Sequence, residues 1–305
     1  MTKKFAVRDH DWRGLEGRLM NLPAPKGKKS KILIVYGQHS SLERCAGIAE
    51  ALNIYGEVFM PDMPGFGGMD SFYKLDKKPS VDLYADYLKD FIEKEIEDGP
   101  IIIVGISYGF ANVTRMLQKY PELQKRVKML VSFVGFTGSR DFQIQHWYVR
   151  HAGRIAATYS RGPVGASIFK GFMSTGVFEM YYKRQIPKTS PYNKEAKQLR
   201  NEEVKRRMHL WKVNDHRTHA ETAYEFVYHL DLRGIKVPMT VHHMGVDYDH
   251  FFDHKKVVAH MREIYSKVEN YNLAIGNHSP SEDADVEEIR RMIPGKLTDK
   301  ISKMP

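Results

Sequence analysis

Gly105-Ile106-Ser107-Tyr108-Gly109 sets a serine between two glycines, directly after the apolar run Ile101 to Val104. Four apolar residues in a row read as a buried strand, and Ala111 to Lys119 behind them as a helix. A serine on a sharp turn between strand and helix holds its hydroxyl out above the sheet edge, the pattern of a nucleophile elbow. Backbone at such a turn is crowded, and Gly105 and Gly109 keep the flanking positions free of side chains. The helix behind Ser107 points its partial positive end at a developing oxyanion. The chemistry on offer is attack on a carbonyl, which needs a base to take the hydroxyl proton and an acid to orient that base.

Carboxylates that could orient a base crowd one stretch, Met244-Gly245-Val246-Asp247-Tyr248-Asp249-His250-Phe251-Phe252-Asp253, which follows a strand expected at Val237 to His242. His242, His243, His250 and His254 lie in or beside it, so a metal site has to be weighed. The stretch lacks the glutamate of a His-Glu-x-x-His site, and adjacent strand residues 242 and 243 face opposite sides. No metal site is expected. A further histidine, His278, sits in the turn Gly276-Asn277-His278-Ser279-Pro280, between a short strand expected at Asn272 to Ile275 and a helix at Ala284 to Ile293.

The elements that must position these residues follow an α/β rhythm. Lys31 to Tyr36 and Gly56 to Met60 read as strands, Val81 to Glu97 as an amphipathic helix, and Val127 to Val134 as the strand after the elbow helix. The rhythm breaks between Gly138 and Asp215, a stretch rich in aromatic residues and Met that becomes highly charged and helical from Asn193 to Trp211. It resumes with helices at Ala220 to Leu230 and Val257 to Val268. Alternation of this kind predicts a mainly parallel sheet with helices on both faces.

Three motifs occur in order: Tyr36-Gly37-Gln38 after the first long strand, Asp62-Met63-Pro64-Gly65-Phe66-Gly67, and the turn Gly105 to Gly109. On these the chain resembles the α/β-hydrolase fold superfamily, over most of its length outside 138–215. The resemblance implies a hydrolase core of residues 1–137 and 216–305, with a helical cap or lid, 138–215, inserted after the strand that follows the nucleophile helix. It implies a branch with a serine nucleophile, since the haloalkane dehalogenase and epoxide hydrolase branches carry aspartate at the elbow. The oxyanion hole would use the backbone amides of Tyr108 and Gln38. Tyr36 stands where histidine is more usual, and His39 either polarises the same space or lies in solvent.

The family's chain order is serine, acid, histidine. Asp249 fits the acid best, a few residues past Gly245, with Phe252 three positions later and a helix from about Lys255. Asp247 is the main alternative. Asp253 and Asp141 stand behind it, Asp141 because some relatives carry the acid after the preceding strand. His278 has the setting of the base. Phe169, Phe172, Met173, Phe178 and Tyr182 would line an apolar cavity or a membrane-facing lip, or pack the insertion onto the core. The implied activity is that of a serine esterase acting on a small or apolar acyl substrate, without a cofactor. A thioesterase, an amidase or aminopeptidase, a C–C hydrolase, or a non-catalytic ligand-binding member are other uses of the same scaffold.

Composition bounds this reading. The 305 residues are 42% hydrophobic and 28% charged, enough for a large packed core. The net charge of +10 is spread over separate segments, and no basic run is interleaved with aromatics as in a nucleic-acid module. Specific nucleic-acid binding is not expected, and peripheral contact with an anionic membrane stays open. Cys45 is the only cysteine, so no intrachain disulfide can form. No run of about 18 apolar residues is present, so no transmembrane helix is expected, and the location expected is cytoplasmic.

Overall fold

The computed structural model describes residues 6–143, 147–173, 180, 204–206, 208–246, 249, 251–273 and 286–304. Among them β1 (Val7–Trp12), β2 (Leu15–Leu22), β3 (Ser30–Val35), β4 (Gly56–Pro61), β5 (Ile101–Ile106), β6 (Val127–Phe133), β7 (Val237–Gly245) and β8 (Tyr265–Asn272) form one sheet. Its strand order is β1-β2-β4-β3-β5-β6-β7-β8. The pairs β1–β2 and β2–β4 are antiparallel, and every pair from β4 to β8 is parallel. This is the mainly parallel sheet expected from the α/β rhythm.

All six residues of β5 are buried, and β3, β4 and β6 nearly so. Strands buried on both faces read as continuous apolar runs, which is why these were visible in the sequence. Helices α1 (Leu42–Asn53), α2 (Val81–Glu95) and α3 (Tyr108–Lys119) connect them. Beyond β6 come α4 (Trp147–Ser160) and α5 (Pro163–Met173), then α6 (His216–Tyr228) before β7. Helix α7 (His254–Ile264) joins β7 to β8, and α8 (Val286–Met292) and α9 (Gly295–Ser302) lie near the carboxyl terminus. Helix α2 packs on α3, and α1 on α8. No described helix is long and apolar enough to cross a membrane.

Three expectations need correction. The α/β rhythm of the sequence begins only at Lys31, yet β1 and β2 form a hairpin whose turn residues Arg13 and Gly14 both have positive φ, 53° and 84°. That is the turn geometry that matches the twist of paired strands. Its exposed face is charged, while Trp12, Leu15, Leu19 and Met20 are buried and the Trp12 ring meets Tyr87 edge-on. Helix α7 ends at Ile264 instead of continuing to Val268, and β8 begins at Tyr265, not Asn272. Val257, Val258, Met261 and Ile264 are the buried stripe of α7, and Val268 happens to continue their helical spacing. Elbow helix α3 starts at Tyr108, directly behind the serine.

Candidate active site

Ser107 occupies the turn between β5 and α3 with φ 50° and ψ −121°, a conformation that L-residues rarely adopt. Its amide donates to Phe133 O of β6 at 2.9 Å, which fixes the turn to the neighbouring strand. The glycines have measurable reasons. A Cβ on Gly109 would lie 2.2 Å from Val35 O and 2.5 Å from Tyr36 O, so α3 starts flush against the end of β3. A Cβ on Gly105 would lie 2.5 Å from Phe110 Cα. Gly37 flanks the serine itself, since its Cβ would meet Ser107 Cβ at 3.0 Å and Ser107 Oγ at 3.6 Å. Gln38 therefore follows a residue in contact with the serine. Neither the Gln38 amide nor the Tyr108 amide donates to a carbonyl among the described residues. For Tyr108 this is the ordinary fate of the first amide of a helix.

Side chains that the sequence did not single out hold this loop. Gln38 Nε2 donates to Thr222 Oγ1 at 2.7 Å and to His219 O at 2.9 Å, both on α6. Asn214 Oδ1 accepts from Gly67 N at 2.8 Å, which leaves Asn214 Nδ2 to donate to His39 Nδ1 at 3.2 Å. The proton of His39 is then on Nε2, which is shut off from solvent. Burial first, then the nearby His219 and Arg44, holds the His39 imidazole well below its usual range, so it is neutral. Its ring lies 3.9 Å from that of Trp211. Thus His39 is half-buried, with its Nε2 covered and its ring against Trp211, and is not a free side chain in solvent. Tyr108 OH donates to Glu225 Oε2 at 3.0 Å, and Glu225 also accepts from Val81 N. Burial raises the Glu225 carboxyl against the pull of these bonds.

Tyr36, which replaces a histidine, also has a use. Its hydroxyl donates to Asp62 Oδ1 at 3.0 Å and accepts from Met63 N at 2.8 Å. Arg18 Nε binds the other Asp62 oxygen at 2.8 Å. Gly67, with φ 66°, leaves room for that carboxylate, since a Cβ there would lie 1.9 Å from Asp62 Oδ1. The Asp62-to-Gly67 motif is thus a rigid loop, and Gly65 O and Gly67 N both bond to residues 214–215 at the start of α6.

Asp249 lies just past β7 and is buried. Its Oδ1 accepts from Phe251 N at 2.7 Å and Phe252 N at 3.2 Å. Phe252 stacks on Phe136 at 4.7 Å, and Phe136 stacks on Tyr108 at 6.4 Å, so the Asp249 loop and the elbow share one aromatic cluster. Ser107 follows β5 and Asp249 follows β7, with only β6 between. Two strand spacings amount to about 10 Å, a gap that one imidazole and two side chains can bridge. The competing aspartates have other partners. Asp253 caps α7, accepting from Lys255 N and Lys256 N. Asp141 is fully buried, accepts from Thr137 N, Thr137 Oγ1 and Gly138 N, and meets His260 Nδ1. Asp247 and His278 lie outside the described residues, as do Phe178 and Tyr182.

The histidines around β7 are separate, as their alternation on the strand requires. His242 Nδ1 approaches Glu269 at 3.2 Å. His243 is buried, its Nδ1 2.9 Å from Ser132 Oγ, and its ring stacks on His254. Burial, with His254 nearby, pushes the His243 imidazole down to about 3. A cavity of about 10 Å³, room for a single water, lies between His243, His254 and Asp249.

Comparison with known proteins agrees with this architecture. Among curated protein sequences none matches. Solved structures do: a thermophilic esterase from Thermogutta terrifontis is 16% identical with a TM-score of 0.61, covering 98% of both chains. An enol-lactonase from Burkholderia xenovorans LB400 is 12% identical with a TM-score of 0.63, over 97% of this chain and 100% of that one. A carboxylesterase from Bacillus subtilis is 14% identical with a TM-score of 0.60, over 98% and 91%. At such identities the likeness establishes the fold alone. The family model described as alpha/beta hydrolase fold matches residues 32–285. This chain belongs to the α/β hydrolase fold family, a family of hydrolases.

Proposed function

We propose that the chain is a serine hydrolase that cleaves a carboxylic ester through an acyl-enzyme on Ser107. The observation that supports this most is the Ser107 backbone, held at φ 50° on the β5–α3 turn with Gly37 against its side chain. A strained backbone has a cost, and such strain concentrates where a side chain must be presented to a reacting group. In this reading His278 takes the proton from Ser107 Oγ as the oxygen attacks the carbonyl carbon. Asp249 orients the imidazole and balances its charge. The Gln38 and Tyr108 amides, which have no carbonyl acceptor among the described residues, receive the oxyanion. His278 then protonates the departing alcohol, and water activated by the same imidazole releases the acid and restores Ser107.

Residues 138–215 serve as the cap in this proposal, with Phe169 and Trp211 on its inner side. Their rings meet at 5.6 Å, and Trp211 covers His39 beside the oxyanion loop. An acyl group entering there would meet aromatic surface, which favours an apolar acyl chain. The test is turnover of a chain-length series of p-nitrophenyl esters by wild type, Ser107→Ala and His278→Ala. Each variant is expected to lose about 10³-fold or more in kcat. Wild-type rates in both folded variants would overturn the proposal.

A further inference from the structure

From Phe142 to Phe178 the sequence has no Asp or Glu, while it carries Arg150, Arg154, Arg161 and Lys170. Helices α4 and α5 fall in this stretch, and they display large apolar side chains to solvent. Ile155 is 60% exposed and Tyr159 76%, one turn apart on α4. Val164 at 72%, Ile168 at 69% and Phe172 at 53% repeat every fourth residue along α5. Four-residue spacing puts each set on one side of its helix. Other exposed large apolar side chains, such as Val7, Ile54 and Ile235, sit singly on distant elements. Scattered exposure needs no explanation, but two aligned stripes on adjacent helices do.

We propose that the α4–α5 face is a peripheral docking surface for an anionic lipid bilayer. Two features together select this occupant. An apolar stripe with an aromatic residue on each helix suits the boundary between headgroups and acyl chains. Residues 142–178 contribute only positive charge, of which Arg161 is offset by Glu221 at 3.4 Å; the other cations of this segment suit anionic headgroups, and the net charge of +10 adds long-range attraction. A protein partner or a second copy would leave the one-sided charge without a role, and two copies of this face would repel. Helix α4 packs on both α5 and α6, the helix that holds Gln38, so the face is firmly attached to the core. The inference does not depend on which residue is the nucleophile.

The experiment is flotation of the full chain with phosphatidylcholine vesicles, with and without phosphatidylserine, at low and high NaCl. Wild type is expected to float with the phosphatidylserine vesicles, and to be released by salt. The double variant Ile168→Ser/Phe172→Ser removes exposed apolar groups and should abolish flotation. Arg154→Glu/Lys170→Glu should weaken it by about 25-fold or more, from about fivefold for each basic residue lost. Circular dichroism and thermal melting confirm that both variants fold. Absence of flotation by folded wild type, or equal flotation by the variants, overturns the proposal. So does a lipid-free dimer in sedimentation velocity that Ile168→Ser/Phe172→Ser dissociates, because the face would then join two copies.

Discussion

Adding one methyl group at Gly37 should damage catalysis well beyond its effect on folding. Its Cβ would stand 3.0 Å from Ser107 Cβ and 3.1 Å from Ile106 O. Ordinary contact between such atoms begins at about 3.5 Å, so Ser107 or the loop must give by a few tenths of an ångström, up to about 0.5 Å. A displacement of 1 Å at a reacting group costs about 100-fold in rate, which puts Gly37→Ala at a loss of up to about 10-fold in kcat. Overpacking on this scale costs about 1–3 kcal/mol, an amount a domain of this size tolerates. Two companions calibrate the result. Gly109→Ala drives a methyl group to 2.2 Å from Val35 O, a backbone atom that can hardly yield, and should cost more stability. Gly171→Ala meets nothing within 4 Å in α5 and should stabilise by about 0.5–1 kcal/mol with activity kept. The assay is kcat and KM on a p-nitrophenyl ester beside thermal melting. Full activity in Gly37→Ala would refute the placement of this loop against the nucleophile.

Four further outcomes are expected. Asp249→Asn keeps an acceptor for the Phe251 and Phe252 amides, so the protein should fold while ester turnover falls about 10³- to 10⁴-fold. Asp253→Ala should instead cost about 1 kcal/mol in urea unfolding through its lost cap and leave turnover intact. Thr222→Val removes the hydroxyl that holds Gln38 and should lower kcat about 10-fold with KM kept, whereas Thr222→Ser restores it. His243 is held neutral down to about 3, against 6.5 when unfolded, so between these values the unfolded chain binds the extra proton. Its contribution to stability is complete above pH 6.5 and is lost as the pH falls, by about 3 kcal/mol between 6.5 and 4. The urea stability of His243→Phe should decline less over that range, and curves parallel to wild type would contradict the assignment.

What was legible in the sequence follows from where each element sits. Strands β3, β5 and β6 are covered on both faces, so their apolar runs stood out, and the strand-turn-helix around Ser107 came with them. The β1–β2 hairpin lies at one edge of the sheet and β8 forms the other, where Glu269 pairs with both Lys267 and Lys300. Charge on an edge strand discourages unwanted pairing but erases the apolar signal. Asn214 and Thr222 were illegible for another reason. Gln38 and Thr222 lie 184 residues apart, and a single polar residue meeting another across the fold leaves no periodic trace. The motif from Asp62 to Gly67 is legible by its resemblance, while its physical reason, a side chain held by Tyr36 and Arg18 from 26 and 44 residues away, leaves no local trace in the sequence.

The central claim is that Ser107 is an activated nucleophile. Its most direct test is reaction of the purified protein with a fluorescent fluorophosphonate, followed by peptide mapping of the adduct. Wild type should label at Ser107 in a time-dependent manner, and folded Ser107→Ala should not label. A folded wild type that stays unlabelled, or an adduct mapped to another residue, would contradict the account.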